Sequence, residues 1–137
     1  MTRRVPSARF LGAARLEGHE LRFHKRGWKD GTGKANAFHS SGADAVVHGV
    51  VYEVAEEEMP ALDVFETGYE RQLFGFSITS QREASAVHAW IYVALPEVID
   101  DALVPTRAYL DHVLAGARAH VLPTALIEML EALPTEG

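Results

Sequence analysis

Asp44-Ala-Val-Val-His-Gly-Val-Val-Tyr-Glu-Val54 leads into Glu56-Glu-Glu-Met-Pro-Ala-Leu-Asp-Val-Phe-Glu66, and the reading of the fold starts from that join. The first stretch is rich in Val and carries a Tyr, residue types that suit a buried strand, with Gly49 marking a bulge. The second has Met59, Leu62 and Phe65 at helical spacing, which predicts a short helix with one face on the core. Three glutamates at its start suit the positive end of the helix dipole. Pro60 must lie in or near the first turn, because deeper in the helix it would break a hydrogen bond.

Outward from this join, both flanks read as strands. Segments 8–16 and 18–24 form two short strands around Gly18, and in the second Leu21 and Phe23 alternate with Glu20, Arg22 and His24. Segment 25–34 reads as a polar, Gly-rich loop. After the short helix, segments 69–79 and 85–94 read as strands, with Phe74, Phe76 and Ile78 alternating with polar or small residues. Segment 105–120 starts at Pro105 and carries an apolar stripe of Tyr109, Leu110, Val113, Leu114 and Ala117. Pro123 opens a last short helix with Leu126, Ile127 and Leu130. Strands first and helices late predict an α+β domain, not a repeating βαβ plan.

Composition bounds the function. The 137 residues suit one domain, and the balance of apolar and charged residues is that of a globular chain. A net charge of −6 argues against binding a phosphate backbone, so no nucleic-acid partner is expected. The apolar runs fall far short of the ~20 residues a membrane span needs, and the basic N-terminus has no apolar stretch after it, which argues against a signal peptide. There is no cysteine, hence no disulfide framework, thiolate metal site or Cys–His nucleophile, and this suits a cytoplasmic location.

Three kinds of chemistry are open to these residues. The seven histidines are scattered without metal-ligand spacing, so no metal site is expected and ordinary surface or half-buried rings are the default; for His48 and His88, which lie on strands, an inward-facing, neutral, hydrogen-bonded ring is the alternative. Gly31-Thr-Gly-Lys34 is superficially like a phosphate loop, but Trp28 stands where its first Gly is required and Ala35 where Ser or Thr is required. The plain reading is a flexible, solvated basic loop; the functional one is that Lys25, Arg26, Lys29 or Lys34 attracts a substrate carboxylate. That leaves carboxylates. Asp63 and Glu66 share a helix face, and Glu66 closes the helix before Thr67-Gly68-Tyr69, where partial desolvation would make it a useful base. The competing reading is that either one accepts hydrogen bonds from the next loop.

Leu62-Asp-Val-Phe-Glu66 with Gly68-Tyr69-Glu-Arg71 resembles the Leu-Asp-x-x-Glu-Gly … Tyr segment of the gamma-glutamylcyclotransferase family. The flanks are similar too: Pro6 to Leu16 to its opening strand, Gly33-Lys-Ala-Asn36 to its Gly/Ala-rich turn, and Val47-His-Gly-Val-Val-Tyr52 to its Val-x-Gly-Val strand. Tyr109, Gly116-Ala117 and Leu122-Pro123 resemble its C-terminal pattern.

The resemblance implies a small mixed β-barrel edged by helices, in one domain spanning 1–137. It implies cyclisation of a γ-glutamyl group to 5-oxoproline, with release of an amine or amino acid from a small γ-glutamyl compound such as glutathione, and with no cofactor. Glu66 matches the family's acid/base position, and Tyr69, Tyr92 and Tyr109 would complete the substrate pocket. The family's Tyr-Gly-Ser-Asn loop is absent, so the first strand and its donors would either lie upstream of Met1 or be lost. A lost edge strand would favour a homodimer. The alternative function is a non-catalytic binding or regulatory protein of the same fold.

Overall fold

The computed structural model describes residues 8–40, 42, 44–79 and 85–136. Six strands and three helices follow in the order β1 (Arg9–Glu17), β2 (His19–Arg26), β3 (Gly33–His39), β4 (Val46–Glu53), α1 (Met59–Phe65), β5 (Tyr69–Ile78), β6 (Ser85–Ala94), α2 (Arg107–Ala119) and α3 (Thr124–Glu131). The Glu56–Glu58 stretch forms a 3-10 turn that leads into α1, with Pro60 in the first turn. The side chain of Phe65 and the residues before Ala8 lie outside the described part.

Four strands form one sheet in the order β4-β1-β5-β6, and β2-β3 form a second. Every ladder between the named strands is antiparallel. Gly18 joins β1 to β2 at φ +75, a conformation in which a Cβ would be strained, and the chain bends there from one sheet into the other. Pairing continues across the bend: Gly18 donates to the Ala45 carbonyl at 3.0 Å and Ser40 to the Gly18 carbonyl at 2.9 Å. The two ladders are therefore one long ribbon folded over. At the far side the backbone N–H of Ala94, the last residue of β6, donates to the Asn36 side chain on β3 at 2.8 Å. The sheet thus curls into a half-barrel with the helices against it, the α+β architecture expected above.

Two apolar clusters result. Phe23, Leu110, Leu114, Ala117 and Leu130 bury the stripe of α2 and one face of α3 against β2. Ala14, Val51 and Ile78 line the inside of the curled sheet. Thr106 caps α2 by accepting from the Tyr109 N–H at 3.1 Å, so Pro105 lies just outside the helix rather than opening it.

Three expectations change. The Gly-rich loop shrinks to 27–32, because β2 runs on through Arg26 and β3 begins at Gly33. Gly33–Asn36 is accordingly strand, not turn. The turn is closed by Gly27 donating to the Thr32 carbonyl at 2.9 Å, and by Asp30 accepting from the Thr32 N–H and hydroxyl at 2.9 and 2.8 Å. Those two bonds hold the Asp30 carboxyl down to about 2. Gly49 pairs regularly with Ala14; the irregularity in that ladder falls between Phe10 and Gly12. Of the histidines, His88 is exposed and His48 half-buried, whereas His19 and His24 are the buried ones.

Leu110 is fully buried at the centre of the larger cluster. Leu110→Ala should lower stability by about 2–5 kcal/mol, read as a reduced urea midpoint at unchanged slope.

Candidate functional site

The register of β2 against β3 slips by one residue between Arg22 and Lys25. A bulge breaks the in–out alternation of a strand and re-aims its side chains. Here Phe23, His24 and Lys25 are all buried in succession. Phe23 enters the helix-facing cluster. His24 places Nδ1 2.9 Å from Asp101 Oδ1 and Nε2 3.0 Å from the Asn36 amide nitrogen. Because Asn36 Oδ1 already accepts from Ala94, its nitrogen faces His24, so Nε2 accepts and Nδ1 carries the proton. That hydrogen bond lowers the Asp101 carboxyl below its ordinary value.

Lys25, only 3% exposed, donates from Nζ to the Thr67 carbonyl at 2.6 Å and lies 4.5 Å above the Tyr69 ring. Burial lowers its pKa; Glu66 opposes the shift and the like charge of Lys34 adds to it. Gly68 makes room for this lysine. A Cβ there would stand 2.8 Å from Lys25 Cε, and its φ of +86 also favours glycine.

Glu66 ends α1: its N–H donates to the Leu62 and Asp63 carbonyls at 3.2 and 3.3 Å, and its φ of −100 and ψ of 51 turn the chain out of the helix. Asp63, one turn earlier, accepts from the Tyr92 hydroxyl at 2.6 Å and pairs with Arg71 Nε at 2.9 Å. These two contacts fasten α1 to β5 and β6 and so set where Glu66 sits. The half-buried Glu66 interacts electrostatically with Lys25, Tyr69, Tyr92 and Tyr109.

Tyr69 and Tyr109 meet on one peptide unit. The Tyr69 hydroxyl donates to the Ala35 carbonyl at 2.7 Å, and the Ala35 N–H donates to the Tyr109 hydroxyl at 3.0 Å. Tyr109 thus uses an oxygen lone pair there and keeps its O–H to donate elsewhere. Lys34, beside Ala35, lies 4.5 Å above the Tyr109 ring. The structure therefore brings Glu66, Tyr69 and Tyr109 together with Lys25 and Lys34; Tyr92 stands at the same place with its hydroxyl proton committed to Asp63.

A cavity of about 470 Å³ adjoins the site, with Tyr92 in its wall. It opens inside the curled sheet, lined by residues such as Leu11, Val51, Phe76 and Val87, and reaches α1 at Met59 and Leu62. Its walls are mostly apolar, whereas the convergent polar groups lie beside it around Ala35 and Glu66. Chemistry needs the latter, and the site is placed there. Among the described residues, no three His, Asp or Glu side chains converge as metal ligands, and no helix is long and apolar enough to cross a membrane.

A family model described as gamma-glutamyl cyclotransferase, AIG2-like, matches residues 2–111. A crystal structure of an uncharacterized protein from Homo sapiens superposes with a TM-score of 0.84 at 24% identity, covering 98% of this chain and 80% of that one. A second structure, named gamma-glutamyl cyclotransferase, superposes with a TM-score of 0.80 at 22% identity over the same shares. At these identities the superpositions establish the fold. A search of curated proteins found no match.

Burial is the largest cause pushing the phenols of Tyr69, Tyr92 and Tyr109 above the ordinary 10.0; Glu66 adds to it at all three, the hydrogen bond to Asp63 is the next largest cause at Tyr92, and the Ala35 N–H opposes it at Tyr109. The folded state holds these protons more tightly than the unfolded chain. Their contribution to stability is therefore complete below pH 10.0 and is lost as pH rises above it. Ultraviolet titration should show these phenolates appearing late in the folded protein and normally in urea. Unfolding free energy should fall between about pH 9 and about pH 11; a rise over that interval would contradict the burial of these rings.

Proposed function

Because the chain belongs to the AIG2-like gamma-glutamyl cyclotransferase family, we propose that it cyclises a γ-glutamyl group to 5-oxoproline and releases an amine or amino acid. The observation that carries this reading is the Glu66 carboxylate, set at a helix end among three tyrosines and two lysines.

The substrate's α-amine is mostly ammonium at neutral pH, so it becomes a nucleophile only after losing a proton. Glu66 takes that proton. The freed amine attacks the γ-carbonyl carbon of the same molecule, forming the ring C–N bond. As the tetrahedral centre collapses, the old amide C–N bond breaks, Glu66 returns its proton to the departing nitrogen and then takes the second proton from the ring nitrogen, which passes on to the released amine. Nucleophile and carbonyl are tethered, so the principal task of the pocket is to hold the bent conformer. The Tyr109 hydroxyl, which keeps its proton to donate, supplies a hydrogen bond to substrate oxygen, and burial keeps that phenol protonated. Asp63 serves as a positioning residue, holding α1 through Tyr92 and Arg71. Every step is proton transfer and acyl exchange within one substrate, for which side chains suffice.

Release of 5-oxoproline from γ-glutamyl-alanine, γ-glutamyl-lysine and glutathione is the direct measurement. The expected outcome is release from at least one, with Glu66→Gln lowering kcat by about 10²–10⁴-fold at unchanged folding. Equal turnover by the Glu66→Gln variant would remove Glu66 from the chemistry. No turnover of any of the three by folded wild-type protein would shift the reading to a binding protein of this fold.

A further inference from the structure

Gly49 has no backbone reason to be glycine. It lies in the middle of β4, among valines, in a regular stretch of ladder opposite Ala14. Glycine weakens a strand interior and marks a bulge, a sharp bend, or a close approach by a ligand or a second backbone. The ladder has no register shift at Gly49, and the described glycines at positive φ are Gly18, Gly31 and Gly68. No backbone crowds it either: a Cβ built there meets nothing within 4 Å. Opposite residues of antiparallel strands face the same side, so that Cβ would point with the buried Ala14 into the cavity of the curled sheet, whose wall includes both residues. Glycine at this position keeps the cavity open, and a ligand is the remaining reason for it.

The cavity and the base share one turn of helix. Leu62 is in the cavity wall, and its carbonyl accepts the Glu66 N–H at 3.2 Å. Residues four apart lie on one helix face. Tyr92, in the same wall, feels the Glu66 charge. At about 470 Å³ the cavity has the size of a small-molecule site. The γ-glutamyl head carries an ammonium and a carboxylate, which apolar walls do not suit, so the head stays with the polar groups. The departing nitrogen is the one Glu66 protonates, so its substituent starts beside Glu66 with the cavity next to it. We propose that the cavity holds this departing group, and that the protein favours γ-glutamyl amides whose nitrogen carries a bulky, uncharged, apolar substituent. The proposal rests on the cyclisation reading. Charge is disfavoured by the walls: among the described residues that line the cavity there is no lysine or arginine. Two guanidiniums reach its lining residues, and each is already paired. Arg9 binds the Glu53 carboxylate at 2.9 Å; Arg71, 5.3 Å from the Trp90 ring centroid, binds Asp63 at 2.9 Å. A departing amino acid or peptide thus finds no unpaired cation there for its carboxylate, and a departing lysine finds Glu53 taken.

The test uses the full chain as wild type, Gly49→Ala and Gly49→Leu, each checked for native melting. Wild type should turn over γ-glutamyl-phenethylamide with a kcat/KM about tenfold or more above that for γ-glutamyl-methylamide or glutathione. The ratio of phenethylamide to methylamide kcat/KM should fall about tenfold in Gly49→Leu, with Gly49→Ala between it and wild type. The alanine variant carries the test if leucine disturbs the fold. Binding is read separately, by calorimetry of γ-glutamyl-phenethylamide with Glu66→Gln protein, and adding Gly49→Leu should weaken it by a similar factor. Binding that depends on Gly49, with no turnover by wild type, would uphold the apolar site and overturn the cyclotransferase reading. Turnover without preference for the apolar substituent, or an unchanged ratio in both Gly49 variants, would overturn the inference and leave that reading standing.

Discussion

One displaced residue in β2 organises the molecule. A regular strand would send alternate side chains to opposite faces, and Phe23, His24 and Lys25 could not all be inside. The slip in register between Arg22 and Lys25 turns them in three directions: to the helix-facing core, to the Asn36–Asp101 network, and to the Glu66 turn. Burying an imidazole and an ammonium is costly unless each finds partners. Here each does, and among the described residues no buried side-chain nitrogen or oxygen lacks a hydrogen bond.

The site that results is assembled from five elements, with α1 delivering Glu66, β5 and α2 delivering Tyr69 and Tyr109, and β2 and β3 delivering the lysines. Division of labour between the two clusters of apolar residues makes this workable. The helix-facing cluster holds α2 rigidly, so Tyr109 reaches Ala35 from a fixed base. The interior of the curled sheet is left partly open and apolar. α1 bridges the two, pinned by Asp63 to Tyr92 and Arg71. An acid/base residue placed at the end of such a short helix depends on those pins for its position, because seven residues of helix are not stable on their own.

Much of this was readable from sequence where periodicity or punctuation is strong. The Val-rich β4, the alternating β5 and the apolar stripes of α2 and α3 all stand within a residue or two of expectation. β3 was invisible because its buried positions are Gly33, Asn36 and Ala37, which produce no apolar alternation. His24 looked solvent-facing because a period of two was extended through the bulge, and Asp101, its partner, is 77 residues away in sequence. Lys25 sat inside what read as a solvated loop; a lysine flanked by strand residues and followed across the turn by a second lysine was the available signal. Glu66 and the tyrosines were reached mainly through family resemblance, since a carboxylate at a helix end is equally consistent with a structural role.

The contacts that join the site's elements run largely through the main chain. Ala35 offers only its N–H and carbonyl to the two tyrosines, Thr67 only its carbonyl to Lys25, and Ala94 only its N–H to Asn36. Apart from proline, which has no N–H to donate at 35 or 94, a peptide group offers the same donor and acceptor whatever side chain it bears, so drift at residues 35, 67 and 94 that respects packing leaves those contacts intact. Insertion or deletion is different: one residue gained or lost between Gly33 and Asn36 would carry the Ala35 peptide away from both phenols at once. Members sharing this architecture should therefore be recognisable by constant spacing between their tyrosines, lysines and glutamate even where the residues at these three joints differ.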